Sequence, residues 1–415
     1  MAGLATWPTD GGSHQDEGAT DHSLHVGIFT NTYLPTVNGV VNSIEAFRRG
    51  LEALGHDVYV FAPRVPGQDD HEPHAIRYPA IPAPARVQYP LALPLSPTVS
   101  RALARLPLDL IHTQHPWWVG SWGAHYAQRR GLPLVTTIHT QYEQYLHYVM
   151  LPRVLLRPLI HRQVVRYCNG CDVVATPGES MQGWLRAQGV LRPVEVLPNA
   201  TDLAPFAAAD GEPVRRRFGI APGEVLLLSA GRIAPEKSLD VLVRGFALVA
   251  GDGLPAKLLL VGDGPALGSL QALAGELGVT ERVIFAGRVP YPEMPPYQAA
   301  ADLFVMTSLT EVQPLVLTEA MAAGAVVVAV RAPGPQDMVR EGETGLLSPA
   351  GAGAEGFAKV LRRAVADRSL REGLAAAARR DAERYDIPQA TQRLLTIYEL
   401  AQERCAALRG SRVTP

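Results

Sequence analysis

The stretch SLTEVQPLVLTEAMAAG (Ser308–Gly324) carries two glutamates, Glu311 and Glu319, on either side of a proline. Pro314 has a fixed φ and no N–H, which suits the first position of a helix and not its interior. The spacing predicts a loop ending at Gln313 and a helix from Pro314 to Ala323, stopped by Gly324. The amides of Leu315, Val316 and Leu317 would then project from the helix start, where the macrodipole favours an anion. A phosphate held there would have a carboxylate on either side to accept hydroxyl hydrogen bonds. A second constellation is AGRIAPEKSLD, in which Arg232 and Lys237 bracket a turn between a strand and a helix. Two cations at the carboxyl end of a strand suit a diphosphate, arginine as a fork and lysine as a point charge. A surface turn with ordinary salt bridges is the competing reading.

Other positions carry weaker signals. Gly39, in NTYLPTVNGV, stands at a loop-to-helix junction, where a missing Cβ lets a charged group approach the backbone amides; a simple helix start fits as well. His139, in TTIHTQYEQY, ends an apolar strand and is placed to reach a cleft as hydrogen-bond partner or base, with a satisfied structural histidine as the alternative. The glycines of VGDGP (Val261–Pro265) do not follow the dinucleotide fingerprint and read as a tight turn. His112 and His115 lack a metal-ligand spacing and no Asp-x-Asp closes a strand, so no metal is expected. Three cysteines are too few for a disulfide framework, and Cys168 and Cys171 form a C-x-x-C without a second pair, expected to pack beside a strand.

The elements that position these residues follow a recurring order. Short apolar runs end in polar loops: LHVGIFT, GHDVYVFAP, DLIHTQ, LPLVTTIHT, DVVATPGES and VEVLPNA, with a helix from about Gly39 to Leu54 after the first. Asn199–Pro222 is short-segmented and reads as a linker. A second set follows: EVLLLSAGR, a helix near Ser238 to Val249, AKLLLVGDG, RVIFAGRV, ADLFVMTS, GAVVVAV and TGLLSP. The fold class is therefore α/β, two Rossmann-like doubly wound halves facing a cleft. The expected division is a disordered leader 1–23, a first Rossmann-like domain 24–203 and a second 204–385. A last helix, roughly Gln389 to Leu408 within 386–415, would return across the boundary.

Bulk composition agrees. At 415 residues the chain exceeds what one core usually supports, and 47% hydrophobic with 19% charged residues suits a globular protein. A net charge of −2 gives no support for nucleic-acid binding. The first residues lack the basic and apolar regions of a signal peptide, and no run approaches the ~20 apolar residues of a membrane span, so any membrane role would be peripheral.

Taken together, Glu311 and Glu319 as E-x7-E, GRIAPEK and TYLPTVNGV resemble the retaining glycosyltransferases of family 4, which have the GT-B fold. The resemblance implies that Glu311 contacts donor-sugar hydroxyls and Glu319 the ribose. Arg232 and Lys237 would hold the diphosphate with the amides at the helix start and Gly39. Backbone near Val289 would meet the base, and His139 the transferred sugar. Val312 and Ser238 stand where many relatives have glycine, which tightens the backbone beside the donor. The segment TIHTQYEQYLHYV, with Tyr142 and Tyr145, resembles the acceptor side of bacterial diacylglycerol glucosyltransferases. That implies a UDP-sugar donor, a lipid acceptor at an anionic membrane surface and a cytoplasmic enzyme on the inner face of the membrane. No cofactor or nucleic-acid partner is implied, and oligomeric state stays open. Candidate membrane contacts are Arg101 and Arg105, on one helix face, and Arg153, Arg157, Arg162 and Arg166 in VMLPRVLLRPLIHRQVVRY, where Pro152 and Pro158 prevent one clean amphipathic helix. Phosphatidylinositol, a polyprenol-linked or soluble sugar as acceptor, a UDP-sugar epimerase and a non-catalytic sugar-nucleotide binder are the alternatives.

Overall fold

Runs such as VLLLSA and VVVAV are apolar at almost every position, as strands covered on both faces require. The computed structural model describes residues 23–36, 38–65, 67, 72–82, 90–140 and 153–413, with backbone alone for 153–156 and 410–413. Of the expected leader only Ser23 falls within these, its hydroxyl donating to the Gly55 carbonyl. The first lobe is built on a parallel sheet of β1 (His25–Phe29), β2 (Asp57–Pro63), β3 (Ala75–Tyr78), β4 (Leu110–Thr113), β5 (Leu134–Thr137), β6 (Val173–Thr176) and β7 (Val194–Val196). Their spatial order is β3-β2-β1-β4-β5-β6-β7. The second lobe has β8 (Val225–Ala230), β9 (Ala256–Val261), β10 (Val283–Gly287), β11 (Leu303–Met306), β12 (Val326–Val330) and β13 (Gly345–Ser348), in the order β10-β9-β8-β11-β12-β13. Both orders are the doubly wound, Rossmann-like arrangement. Along β8, Leu226 and Leu228 enter one core cluster and Val225 and Leu227 the other, so successive side chains serve the helical layers on opposite faces.

Local signals set the helix ends. The helix Gly39–Ala53 starts where the Asn38 side chain accepts the Val41 N–H at 3.0 Å. The helix after β11 runs Leu315–Ala323, one residue shorter than expected. Pro314 serves as its cap, at φ −73° and ψ 108°, and Gly324 closes it at φ 92°. The segment read as a linker is not one throughout. It contains short helices Ala204–Ala207 and Glu212–Arg217, whose Phe206 and Val214 are buried in the second lobe's core. Their irregular apolar spacing hides that burial from a periodicity reading.

The last helix, Ile387–Val413, is longer at both ends than expected. Its Leu394, Ile397, Tyr398 and Ala401 join the cluster of Val26, Ile44 and Leu51 in the first lobe. A Cβ on Gly50 would lie 2.0 Å from the Thr391 hydroxyl oxygen, so only glycine admits the helix this closely. The Tyr398 hydroxyl also meets His112 Nδ1 at 2.9 Å, beneath β4. The chain thus passes between the lobes twice, and the two passages are joined by the Thr201 N–H donating to the Tyr385 carbonyl at 2.9 Å. A further link is the Ser180 N–H to Asp337 Oδ2, at 2.9 Å.

The tryptophans among the described residues, Trp117, Trp118, Trp122 and Trp184, all belong to the first lobe, so the change in their fluorescence reports its unfolding. Leu394→Ala removes a fully buried side chain from that core, and is expected to destabilise the fluorescence-monitored transition in urea by about 2–4 kcal/mol. An unchanged midpoint would show that the last helix is not part of the core.

Candidate functional site

Two loops of the second lobe form the wall of a cleft. The first follows β8. Its turn is possible because three glycines take positive φ and let two backbones touch: Gly231 and Gly262 at 142° and Gly264 at 157°. A Cβ on Gly262 would sit 1.8 Å from the Gly231 carbonyl oxygen, and one on Gly264 2.2 Å from that of Ile233. VGDGP is therefore a tight turn that props the Arg232 loop from behind, with the Ile233 N–H donating to the Asp263 carbonyl at 2.9 Å. A short 3-10 turn, Pro235–Lys237, then leads to Ser238 at φ 50°. That is the left-handed region, which accounts for the glycine preference at this position and makes serine the strained choice. The Thr307 hydroxyl contacts the Lys237 and Ser238 carbonyls at 3.1 and 2.9 Å and ties the loop to β11.

The second loop follows β11. It carries Glu311, whose carboxylate pairs with the Lys237 ammonium and accepts from the Ser308 hydroxyl at 3.3 Å. Arg232, with its side chain 48% exposed, lies 3.7 Å from Glu236. Arg232, Lys237, Glu311, Gln313, Leu315 and Val316 line one side of a cleft of about 310 Å³. Asn38, Gly39 and Asn42 of the first lobe line the other. A Cβ on Gly39 would meet nothing within 4 Å, so its value is the open space it leaves before the helix amides. Val312 packs against a first-lobe cluster that includes Ile138 and Met181, which gives the valine a contact that glycine would lack.

One expectation is overturned. The Leu317 N–H donates to the Pro314 carbonyl at 3.0 Å and its side chain is fully buried, so it is not free to meet an anion. Proline as cap tightens the first turn into an i→i+3 bond, which uses that amide. Leu315 and Val316 remain at the cleft.

Glu319, one helical turn and more beyond, is not in the wall of that cleft. It is 5% exposed and accepts from the Tyr291 hydroxyl at 3.1 Å. Burial pushes its carboxyl up to about 7. Val289, two residues before Tyr291, is half-buried against the second lobe's core and also lies outside the cleft wall.

In the first lobe, His139 follows β5 and its Nε2 lies 2.7 Å from Gln114 Oε1. Burial, reinforced by His115 and His112, drives its pKa down to about 3. It is a neutral imidazole at physiological pH and a weak base, which favours the hydrogen-bonding reading over proton abstraction. Tyr142 and Tyr145 lie outside the described residues, and Arg153 opens the helix Arg153–Asn169. Arg101, Arg105, Arg157, Arg162 and Arg166 are exposed, near Leu95 (86% exposed) and Leu159 (63%) in the chain. Cys168 and Cys171 are buried in two different clusters, and burial raises both thiols, Cys168 to about 12. Asn38, Asn42, Gln313, Asn199 and Tyr291 were not singled out by sequence; of these only Asn38 carried a local signal, as an N-cap before an apolar helix.

The raised pKa of Glu319 has a definite sign in stability. Its proton is held more tightly folded than unfolded, so the stabilisation is complete below 4.5 and is lost as pH rises to about 7. Glu319→Gln, which mimics the protonated form, should gain on the wild type across that window, by on the order of 3 kcal/mol, and by no more above it. Urea unfolding of both proteins at pH 5 and pH 8 measures the gap; a pH-independent gap would mean an ordinary carboxylate.

The family model described as Glycosyltransferase Family 4 matches residues 37–205, and that described as Glycosyl transferases group 1 matches 210–381. Alpha-monoglucosyldiacylglycerol synthase of Streptococcus pneumoniae is 33% identical over 313 residues, 74% of this chain and 71% of that protein. GDP-mannose-dependent alpha-mannosyltransferase of Mycobacterium tuberculosis is 29% identical over 398 residues, 94% of this chain and 98% of that protein. Among solved structures, Anabaena HepE in complex with UDP and glucose superposes with a TM-score of 0.70 at 20% identity, covering 91% of this chain and 100% of that one. Sucrose-phosphate synthase from Thermosynechococcus elongatus gives 0.71 at 22% identity, covering 91% and 98%. With both lobes matched by their family models and the fold shared along nearly the whole chain, the protein belongs to the GT-B glycosyltransferases of family 4 and is related to the bacterial diacylglycerol glucosyltransferases.

Proposed function

We propose that the chain transfers glucose from UDP-glucose to a diacylglycerol-type lipid at the cytoplasmic face of an anionic membrane, keeping the α configuration. The observation that carries the donor half is the meeting of Arg232, Lys237 and the Leu315 helix start in one cleft, with Gly39 opposite. Cations and free peptide N–H groups facing an unobstructed backbone turn are what a nucleoside diphosphate needs. HepE holding UDP and glucose on the same fold supports uridine and glucose, and the pneumococcal synthase's name supports the lipid acceptor.

The electrostatics give each residue a task. A diphosphate in the cleft competes for Lys237, and Glu311, released from that pair, accepts hydrogen bonds from sugar hydroxyls. As the bond from the anomeric carbon to the diphosphate breaks, charge grows on the leaving oxygen, and Arg232, Lys237 and the Leu315 and Val316 amides stabilise it. The acceptor oxygen bonds to the anomeric carbon from the same face, and its proton passes to the leaving phosphate. Neutral His139 holds the transferred sugar by hydrogen bonding without adding charge. Glu319 accepts from the ribose hydroxyls in place of Tyr291.

Transfer is tested by incubating the protein with UDP-glucose or GDP-mannose and vesicles containing diacylglycerol, then weighing the products. Glucosyl-diacylglycerol supports the reading; product formed only on a soluble sugar removes the lipid half, and interconversion of UDP-sugars without acceptor removes the transferase. Lys237→Ala should lower turnover by about a hundredfold or more while moving the thermal midpoint by no more than about 2 °C. Comparable losses of activity and stability would assign the lysine to structure.

For the membrane half, no helix among the described residues is long and apolar enough to cross a bilayer. Exposed Arg101 and Arg105 follow exposed Leu93 and Leu95 closely in the chain. Basic residues near an anionic surface contribute about 1 kcal/mol each, so Arg101→Glu with Arg105→Glu should weaken sedimentation with anionic vesicles by roughly thirtyfold or more at low salt. Unchanged sedimentation would move the contact elsewhere.

A further inference from the structure

Gln313 is the cleft residue that belongs to both lobes. It stands between Glu311 and the helix cap Pro314, and is 9% exposed. Its Oε1 accepts the Asn199 backbone N–H at 2.7 Å, across the junction between the lobes. Asn199 is in turn held by the first lobe: its Oδ1 accepts from the Ser43 hydroxyl at 3.1 Å. A backbone N–H can only donate, so it fixes which end of the Gln313 amide is oxygen. The nitrogen end is thereby fixed too, and Nε2 is buried without any acceptor. A buried donor left unpaired is costly, and in a cleft wall it marks a place for a ligand oxygen.

The location says which oxygen. The anionic part of a sugar nucleotide belongs with Arg232, Lys237 and the Leu315 and Val316 amides. The group being transferred must lie towards the junction of the lobes, where an acceptor bound by the first lobe can reach it. A neutral amide donor there suits a neutral hydroxyl. We infer that Gln313 is a positioning residue for the transferred hexose, its Nε2 donating to one sugar hydroxyl while its Oε1 is held by the opposite lobe. Sugar recognition and the approach of the lobes then become one event, because the same side chain serves both. This rests on the donor reading above.

The test compares affinities for UDP, UDP-glucose and its four mono-deoxy analogues in the wild type, Gln313→Met and Gln313→Glu. Glutamate keeps an acceptor for the Asn199 N–H and loses the donor, so it separates ligand binding from the link between lobes. Both variants are expected to bind UDP within about twofold of wild type and UDP-glucose about tenfold more weakly. For one deoxy analogue, the one lacking the contacted hydroxyl, wild type and variants should bind alike. Equal losses for UDP and UDP-glucose, unchanged UDP-glucose affinity in Gln313→Glu, or the same penalty with every analogue would each overturn the inference. A wild type that binds UDP no better than free glucose would overturn the donor reading itself, and the inference with it.

Discussion

β8 and β11 lie side by side, yet the chain leaves them in opposite directions, and the site depends on the crevice this opens. The loop from Gly231 to Lys237 turns to one face of the sheet and that from Thr307 to Pro314 to the other. Nothing in the backbone ladder spans the gap. It is spanned by side chains: Lys237 to Glu311, and Thr307 to the carbonyls behind Lys237. The first lobe repeats the arrangement between β1 and β4, which brings Asn38 and Gly39 to the facing edge and places Gln114 beside His139. Neither lobe needs a dedicated binding element. The order of connections makes the groove, and a few residues at strand ends give it chemistry.

The charges are distributed unevenly. Glu311 and Glu319 share a motif but not an environment: the first is matched by a lysine at the cleft, the second is buried and near the edge of ionisation. On the opposite lobe, His139 is kept neutral by burial and by two neighbouring imidazoles. Formal positive charge is therefore concentrated in the cleft at Arg232 and Lys237, where the Glu311 carboxylate balances it, while His139 on the other lobe is uncharged. Such a division favours charge building up on a leaving phosphate over charge building up elsewhere.

What sequence made legible and what it hid follow from the range of each interaction. Arg232, Lys237, Glu311 and the helix start could be read because strand, turn and cap are written within a few residues of one another. The doubling of lobes was visible in the recurrence of apolar runs. Hidden were features decided by distant partners. Gln313 acquires its meaning from Asn199, more than a hundred residues earlier. The Leu317 amide is spent inside the helix because Pro314 caps it instead of entering it. The strain at Ser238 shows in the sequence only as a departure from glycine, and becomes a physical statement through its φ of 50°. Phe206 and Val214 were lost in a stretch whose spacing matches neither period.

The final helix has a consequence for how the molecule is made. Its Leu394 and Tyr398 complete the core around β1, so the lobe whose chain is synthesised first is finished last. A nascent chain emerging from the ribosome can fold the intervening lobe as a unit, while the earlier sheet waits with an apolar groove open. Closing that groove joins residues far apart in the chain, the slowest kind of contact for a polypeptide to find. The same seam means that the helix Ile387–Val413 must be translated before the earlier lobe has its whole core.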